Sequence, residues 1–109
     1  MLHVQNSPEF SVITVREALD VESAQALTGA IANAESLPWP IVVSLADCKY
    51  CDSSGLRALM QTKALLGDRL SVVAPLGRSV RRTFEITGLV RTLSPFESIA
   101  DALAVPALR

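Results

Sequence analysis

A chain of 109 residues carrying 10 basic and 11 acidic side chains has no net field with which to hold a nucleic acid. Half of its residues are apolar, enough for one domain with one core, yet no apolar run approaches the ~20 residues of a membrane-spanning helix. The start, Met1-Leu2-His3-Val4-Gln5-Asn6, lacks the basic segment and long apolar stretch of a secretory signal, so the expectation is a cytoplasmic protein whose two cysteines stay reduced.

No internal repeat, low-complexity tract or linker interrupts the chain. Residues 2–5 read as a first strand and Asn6-Ser7-Pro8-Glu9 as the turn after it. Residues 10–16 alternate, with Phe10, Val12, Ile13 and Val15 apolar, and read as a second strand. Asp20 is a good N-cap for a helix in which Ala24, Leu27, Ile31 and Ala34 form one buried stripe at +3/+4 spacing. Leu37-Pro38-Trp39-Pro40 ends it, because a residue before proline avoids the helical region. Residues 41–45 are a near-continuous apolar run, the pattern of a central parallel strand covered on both faces.

A second helix is expected from Ser53 to Leu66, with Leu56, Leu59 and Met60 toward the core and Gly67-Asp68 closing it. Residues 70–74 form another buried strand. Pro75-Leu76-Gly77 turns the chain into a third helix over Ser79 to Thr87, stopped by Gly88, with Val80 and Phe84 on its inner face. A short strand is expected around Thr92-Leu93. Ser94-Pro95-Phe96-Glu97 has the form of a capping box with proline at the first helical position, opening a last helix to about Leu103. The tail after Pro106 is expected to fray. Strands alternating with helices imply right-handed crossovers and a mostly parallel sheet, hence an α/β fold.

The junction at residues 41–60 carries the chemistry. A buried strand ends in a turn, and Asp52-Ser53-Ser54-Gly55-Leu56 opens an amphipathic helix. Two hydroxyls thus sit at a helix N-terminus, where backbone N–H groups lack partners and the helix dipole favours negative charge. Such a place can hold a phosphate or carry one covalently. Asp52 is the natural cap of this helix, through the N–H of Ser54 or Gly55. Gly55 permits a close approach, either of a partner or of a neighbouring helix.

This stretch resembles the signature of STAS domains, above all the anti-sigma factor antagonists of bacteria. Three other places extend the resemblance over roughly residues 10–104. Ala18-Leu19-Asp20 resembles the family's Gly-Glu-Leu-Asp, with alanine for glycine. Ser79-Val80-Arg81-Arg82-Thr83-Phe84 with Thr87-Gly88-Leu89 resembles its third helix and the Gly-Leu that follows. Ser94-Pro95-Phe96-Glu97 resembles the start of its last helix. The chain departs from the pattern at Ser44-Leu45, where the family commonly has Asp-Leu, and at the two cysteines before the signature. The resemblance implies a small, mostly parallel sheet with about four helices mainly on one side. It implies that Ser53 is the phosphoacceptor, with Ser54 as the alternative. It also implies that Asp20, Asp52, Ser53, Ser54 and Gly55 contribute to a surface that meets an anti-sigma factor serine kinase, with a serine phosphatase resetting the switch.

Other readings of the same residues stand beside this one. Cys48 and Cys51 form a Cys-x-x-Cys, which can be a redox pair, but both precede the capping Asp52 rather than opening the helix, and cysteine also serves as a small buried hydrophobe. No second pair or histidine cluster supplies the ligands of a structural zinc site. Arg78, Arg81 and Arg82 form a basic cluster that is either a solvated face or a patch for an acidic partner. A serine hydrolase would need a base beside Ser53, and His3 is the only histidine. No Gly-x-x-x-x-Gly-Lys-[Ser/Thr] loop is present, so no cofactor is expected. Two non-enzymatic functions therefore remain: a phosphorylation-controlled antagonist of an anti-sigma factor, or an accessory STAS subunit of a lipid-transport ABC ATPase or a stress-signalling complex.

Overall fold

The computed structural model describes residues 2–104. Strand β1 (Leu2–Asn6) turns back through a tight loop, in which the Ser7 N–H donates to the Phe10 carbonyl at 2.9 Å, into antiparallel β2 (Ser11–Val15). A short β3 (Glu17–Leu19) leads into helix α1 (Val21–Ala34). Strand β4 (Ile41–Ser44), strand β5 (Cys48–Cys51) and helix α2 (Ser53–Leu66) follow. A single 3-10 turn, Gly67–Arg69, delivers the chain to β6 (Leu70–Val73). Helix α3 (Ser79–Thr87), a one-turn α4 (Val90–Leu93) and α5 (Ile99–Ala104) complete the described chain.

The main sheet has the order β1-β2-β4-β6, and only its β1–β2 pairing is antiparallel. Period-2 alternation divides its side chains between two faces. Ile13, Val15, Ile41, Val43 and Val72 enter the larger core, which α1, α2, α3 and α4 cover with residues such as Leu27, Leu59, Phe84 and Leu93. Val12, Val42 and Val73 face the other way, onto Ala102 of α5 with Phe10, Phe96 and Ile99. The α/β class and the bias of helices to one side are as the sequence implies, with five helices where about four were expected.

The start and stop signals place α1, α2 and α3 well. Asp20 caps α1, α2 runs from Ser53 to Leu66, and α3 ends at Gly88, whose φ of 77° glycine adopts without a Cβ penalty. In α2, Leu59 is fully buried, and Leu56 and Met60 pack against the core from its rim.

Two expectations fail and one pairing was not foreseen, each through a tertiary partner. The strand at Thr92-Leu93 is instead the helical turn α4, which drives Leu93 into the core at 1% exposure. Ser94-Pro95-Phe96-Glu97 does not open a helix. Ser94 turns left-handed at φ 44°, and Phe96 pairs with the edge of β6, its N–H donating to Val72 O (2.8 Å) and its carbonyl accepting from Ala74 N–H (2.9 Å). Glu97 reaches across to the Leu76 N–H and Arg81, and the helix begins later, with Ser98 Oγ accepting the Asp101 N–H at 3.0 Å. The small parallel pair β3–β5 has no counterpart in the sequence reading. The tail after Pro106 lies outside the described residues.

Candidate functional site

The β3–β5 pair builds the site. It brings the ends of two strands, and therefore the starts of α1 and α2, side by side. The Asp52 N–H donates to the Leu19 carbonyl at 3.1 Å, tying the end of β5 to the end of β3. Asp52 is in extended conformation, and its Oδ1 accepts the Gly55 N–H at 3.0 Å, which caps α2. Of the two partners open from sequence, it is Gly55 rather than Ser54.

Gly55 is buried, and the close approach it permits lies within the chain. A Cβ there would run into the Leu19 carbonyl oxygen and lie 2.8 Å from Leu19 Cγ and 2.9 Å from Cys51 Sγ. The first turn of α2 is therefore seated directly on β3 and β5. That seating turns Ser53 outward into solvent and leaves Ser54 half-buried beside it. Neither hydroxyl makes a hydrogen bond among the described residues.

Asp20 caps α1 with a reciprocal box. Its Oδ1 accepts the Ser23 N–H at 3.2 Å, while Ser23 Oγ accepts the Asp20 N–H at 2.9 Å and donates to the Ala18 carbonyl at 2.7 Å. The bond from the Ser23 N–H, with a second from its hydroxyl, holds the Asp20 carboxyl below the usual carboxylate range. Asp20 and Asp52 line one open concavity of about 380 Å³ together with Val21 and Glu22. Beyond it a groove of about 210 Å³ runs between the helices, with Val21 and Gln25 on one side and Ser54, Arg57 and Gln61 on the other. Val21, Glu22 and Arg57 were not singled out from sequence. Their signal was helical phase: Val21 is apolar but off the buried stripe of α1, and it is 58% exposed.

The remaining candidates separate from this site. Cys48 and Cys51 are buried free thiols, and burial raises both pKa values, that of Cys51 to about 12. A buried thiol held protonated is a poor nucleophile, so the redox reading has no support in the geometry. The arginines divide. Arg78 and Arg82 are exposed, whereas Arg81 turns inward to donate to Ala74 O (2.9 Å) and Glu97 Oε2 (3.2 Å). His3 is exposed on β1, and among the described residues no hydrogen bond joins it to Ser53, which opens α2. No cluster of three or more His, Cys, Asp or Glu able to hold a metal ion occurs among the described residues. No helix there is long and apolar enough to cross a membrane.

The family model described as "Mlab, STAS domain" matches residues 2–95. Among solved structures, an anti-sigma factor antagonist from Mycobacterium paratuberculosis is 31% identical, with a TM-score of 0.80 over 94% of this chain and 90% of that one. A sulfate transporter family protein from Wolinella succinogenes is 18% identical, with a TM-score of 0.75 over 90% of this chain and 84% of that one. The Bacillus cell fate determinant SpoIIAA in its phosphorylated form is 17% identical, with a TM-score of 0.64 over 94% and 96%. No curated protein matches the chain. With a family model spanning nearly all of the described residues and the signature serine at the start of α2, the chain belongs to the STAS domain family, and its solved relatives include anti-sigma factor antagonists.

Proposed function

We propose that this chain is an anti-sigma factor antagonist controlled at Ser53. Unphosphorylated, it binds an anti-sigma factor that is itself a serine kinase, and so releases a sigma factor for transcription. Phosphorylation of Ser53 by that kinase ends the binding, and a serine phosphatase restores it. The observation that carries the reading is the free, outward-facing Ser53 hydroxyl on a helix start held rigid by Asp52 and Gly55. The helix N-terminus tolerates the added charge, and the carboxylates of Asp20, Glu22 and Asp52 make the surrounding surface strongly negative once a phosphate is present. The partner surface is centred on Asp20, Asp52, Ser53 and Ser54, with buried Gly55 holding it in place. The nucleotide belongs to the kinase.

A second reading, an accessory subunit of a lipid-transport ABC ATPase, is favoured by the match to the Mlab model and by the occurrence of the fold in a sulfate transporter family protein. One experiment separates the two. Wild type, Ser53→Ala and Ser53→Asp are used as baits in extract of the native cell, and captured proteins are identified by mass spectrometry. The switch predicts a serine-kinase anti-sigma factor held by wild type and Ser53→Ala and lost with Ser53→Asp. A transporter ATPase held equally by all three forms would replace it with the second reading.

A further inference from the structure

The two edges of the main sheet are finished differently. The β6 edge is occupied by Phe96, which pairs with Val72 and Ala74. The β1 edge is bare among the described residues, since β1 pairs only with β2. Natural sheets blunt a free edge with charge, proline or a bulge. Strand β1 reads Leu2-His3-Val4-Gln5-Asn6, without Lys, Arg, Asp, Glu or Pro, and its register to β2 is unbroken.

The hydrogen-bond phase of this strand is fixed by its turn. Ser7 and Phe10 form a bonded pair. Bonded and non-bonded pairs alternate in an antiparallel ladder, so Gln5 and His3 bond to β2, and the backbone groups of Leu2, Val4 and Asn6 face outward. Ser11, opposite Asn6, accordingly turns its N–H away from β1, to the Pro40 carbonyl at 3.0 Å. The side chains of the same three residues form one wall of a groove of about 500 Å³, whose other wall is Ala26, Gly29, Ala30 and Asn33 of α1. The lining is uncharged throughout.

From this we infer that β1 is a self-association edge, and that its occupant is a second copy of this chain. Antiparallel pairing centred on Val4 sets Val4 against its own equivalent and Leu2 against Asn6 in both directions. Every outward N–H and C=O then finds a partner. The arrangement is isologous, as a two-fold dimer requires. The two-fold axis stands perpendicular to the sheet, so both copies of α1 lie on one side and the two grooves open onto each other above the joined strands. No charge opposes its own image, and His3 faces Gln5. A partner that relied on charge would find none in the groove to complement. The contact is small. The strand and groove supply about a dozen residues, against the 20–30 per side of a standard interface of about 800 Å² per partner. The dimer is therefore weak and concentration-dependent.

Sedimentation equilibrium of the purified chain, with any tag at the C-terminus, tests this from about 1 μM to about 1 mM. Wild type is expected to shift from monomer toward dimer mass within that range. Val4→Lys should remain monomeric throughout, with an unchanged thermal melt showing that it folds. Gly29→Leu, which adds bulk to the groove from its α1 wall, should weaken association by at least tenfold. Arg82→Glu on α3 should leave it as in wild type. A wild type that stays monomeric to about 1 mM overturns the inference, and so does a dimer that survives both Val4→Lys and Gly29→Leu.

Discussion

The starts of α1 and α2 lie side by side, both capped by aspartate, and differ in what their serines do. At α1 the serine in the third helical position, Ser23, is buried and closes the capping box. At α2 that position is Gly55, which has no side chain to reciprocate, and the Asp52 N–H is satisfied by the Leu19 carbonyl instead. The serines of α2 have therefore no structural task. Ser53 projects into solvent with its hydroxyl unpaired. A helix start becomes a chemical site when the reciprocal half of its capping box is taken over by a neighbouring strand and its own hydroxyl is released.

The strongest way to break this comparison is Gly55→Ala. The added Cβ meets backbone at Leu19 and a buried sulfur at Cys51, neither of which can swing aside, so the loss of stability should be about 3 kcal/mol by denaturant titration. Next in size is the contrast between two serines. Ser23→Ala removes three hydrogen bonds, one of them to the Ala18 carbonyl, and should cost about 2 kcal/mol. Ser53→Ala removes none and should leave stability within about 0.5 kcal/mol of wild type while abolishing phosphate incorporation.

The two starts also respond to opposite ends of the pH scale. Asp20 has a lowered pKa, so its contribution is present above the usual carboxylate range and is lost as pH falls through its folded value. Cys51, on which α2 rests, has its pKa raised from 9.0 to about 12. Between those values the unfolded chain has lost the thiol proton that the folded chain keeps, so stability falls as pH rises above 9. The slope attributable to one such group is at most about 1.4 kcal/mol per pH unit. Melting temperature measured from pH 8 to 11 should decline more steeply in wild type than in Cys51→Val.

How much of this was legible beforehand follows the range of the interactions. Asp20, the α1 stripe and the Asp-Ser-Ser-Gly sequence act within one or two helical turns, and local spacing reveals them. Strands β3 and β5 are three and four residues long, and each exists through the other, some thirty positions away. Cys48 and Cys51 are buried with Lys49 and Tyr50 exposed between them, which is not the alternation of a strand. Glu17 sits at φ 65°, where the register shifts, a conformation that its residue type does not announce. The same logic undid Ser94-Pro95-Phe96-Glu97. Its local chemistry suits a helix start, but the β6 edge claims Phe96, and Arg81 with the Leu76 N–H claims Glu97. Adjacency of Asp20 to Asp52, the central fact of the site, depends on β3–β5 and was available from sequence only through the family resemblance.

The smallest expected effect is the most informative about mechanism. Ser53→Asp places one negative charge on the first residue of α2. The helix dipole favours it by a few tenths of a kcal/mol up to about 1, Arg57 four residues on in α2 adds a similar small attraction, and the carboxylates of Asp52, Asp20 and Glu22 oppose it across a solvated surface. Ser53 is exposed and makes no hydrogen bond, so no other interaction is lost. The balance should leave stability within about 0.5 kcal/mol of wild type, with repulsion, and hence the salt dependence, the larger for a phosphate of charge near −2. If the Asp variant keeps its melting temperature while losing the partner, the switch acts through surface charge on an intact fold. If instead it melts earlier by more than the equivalent of about 2 kcal/mol, the modification works by loosening the seat of α2 on Leu19 and Cys51, and the difference between the two helix starts is one of stability rather than of exposed chemistry.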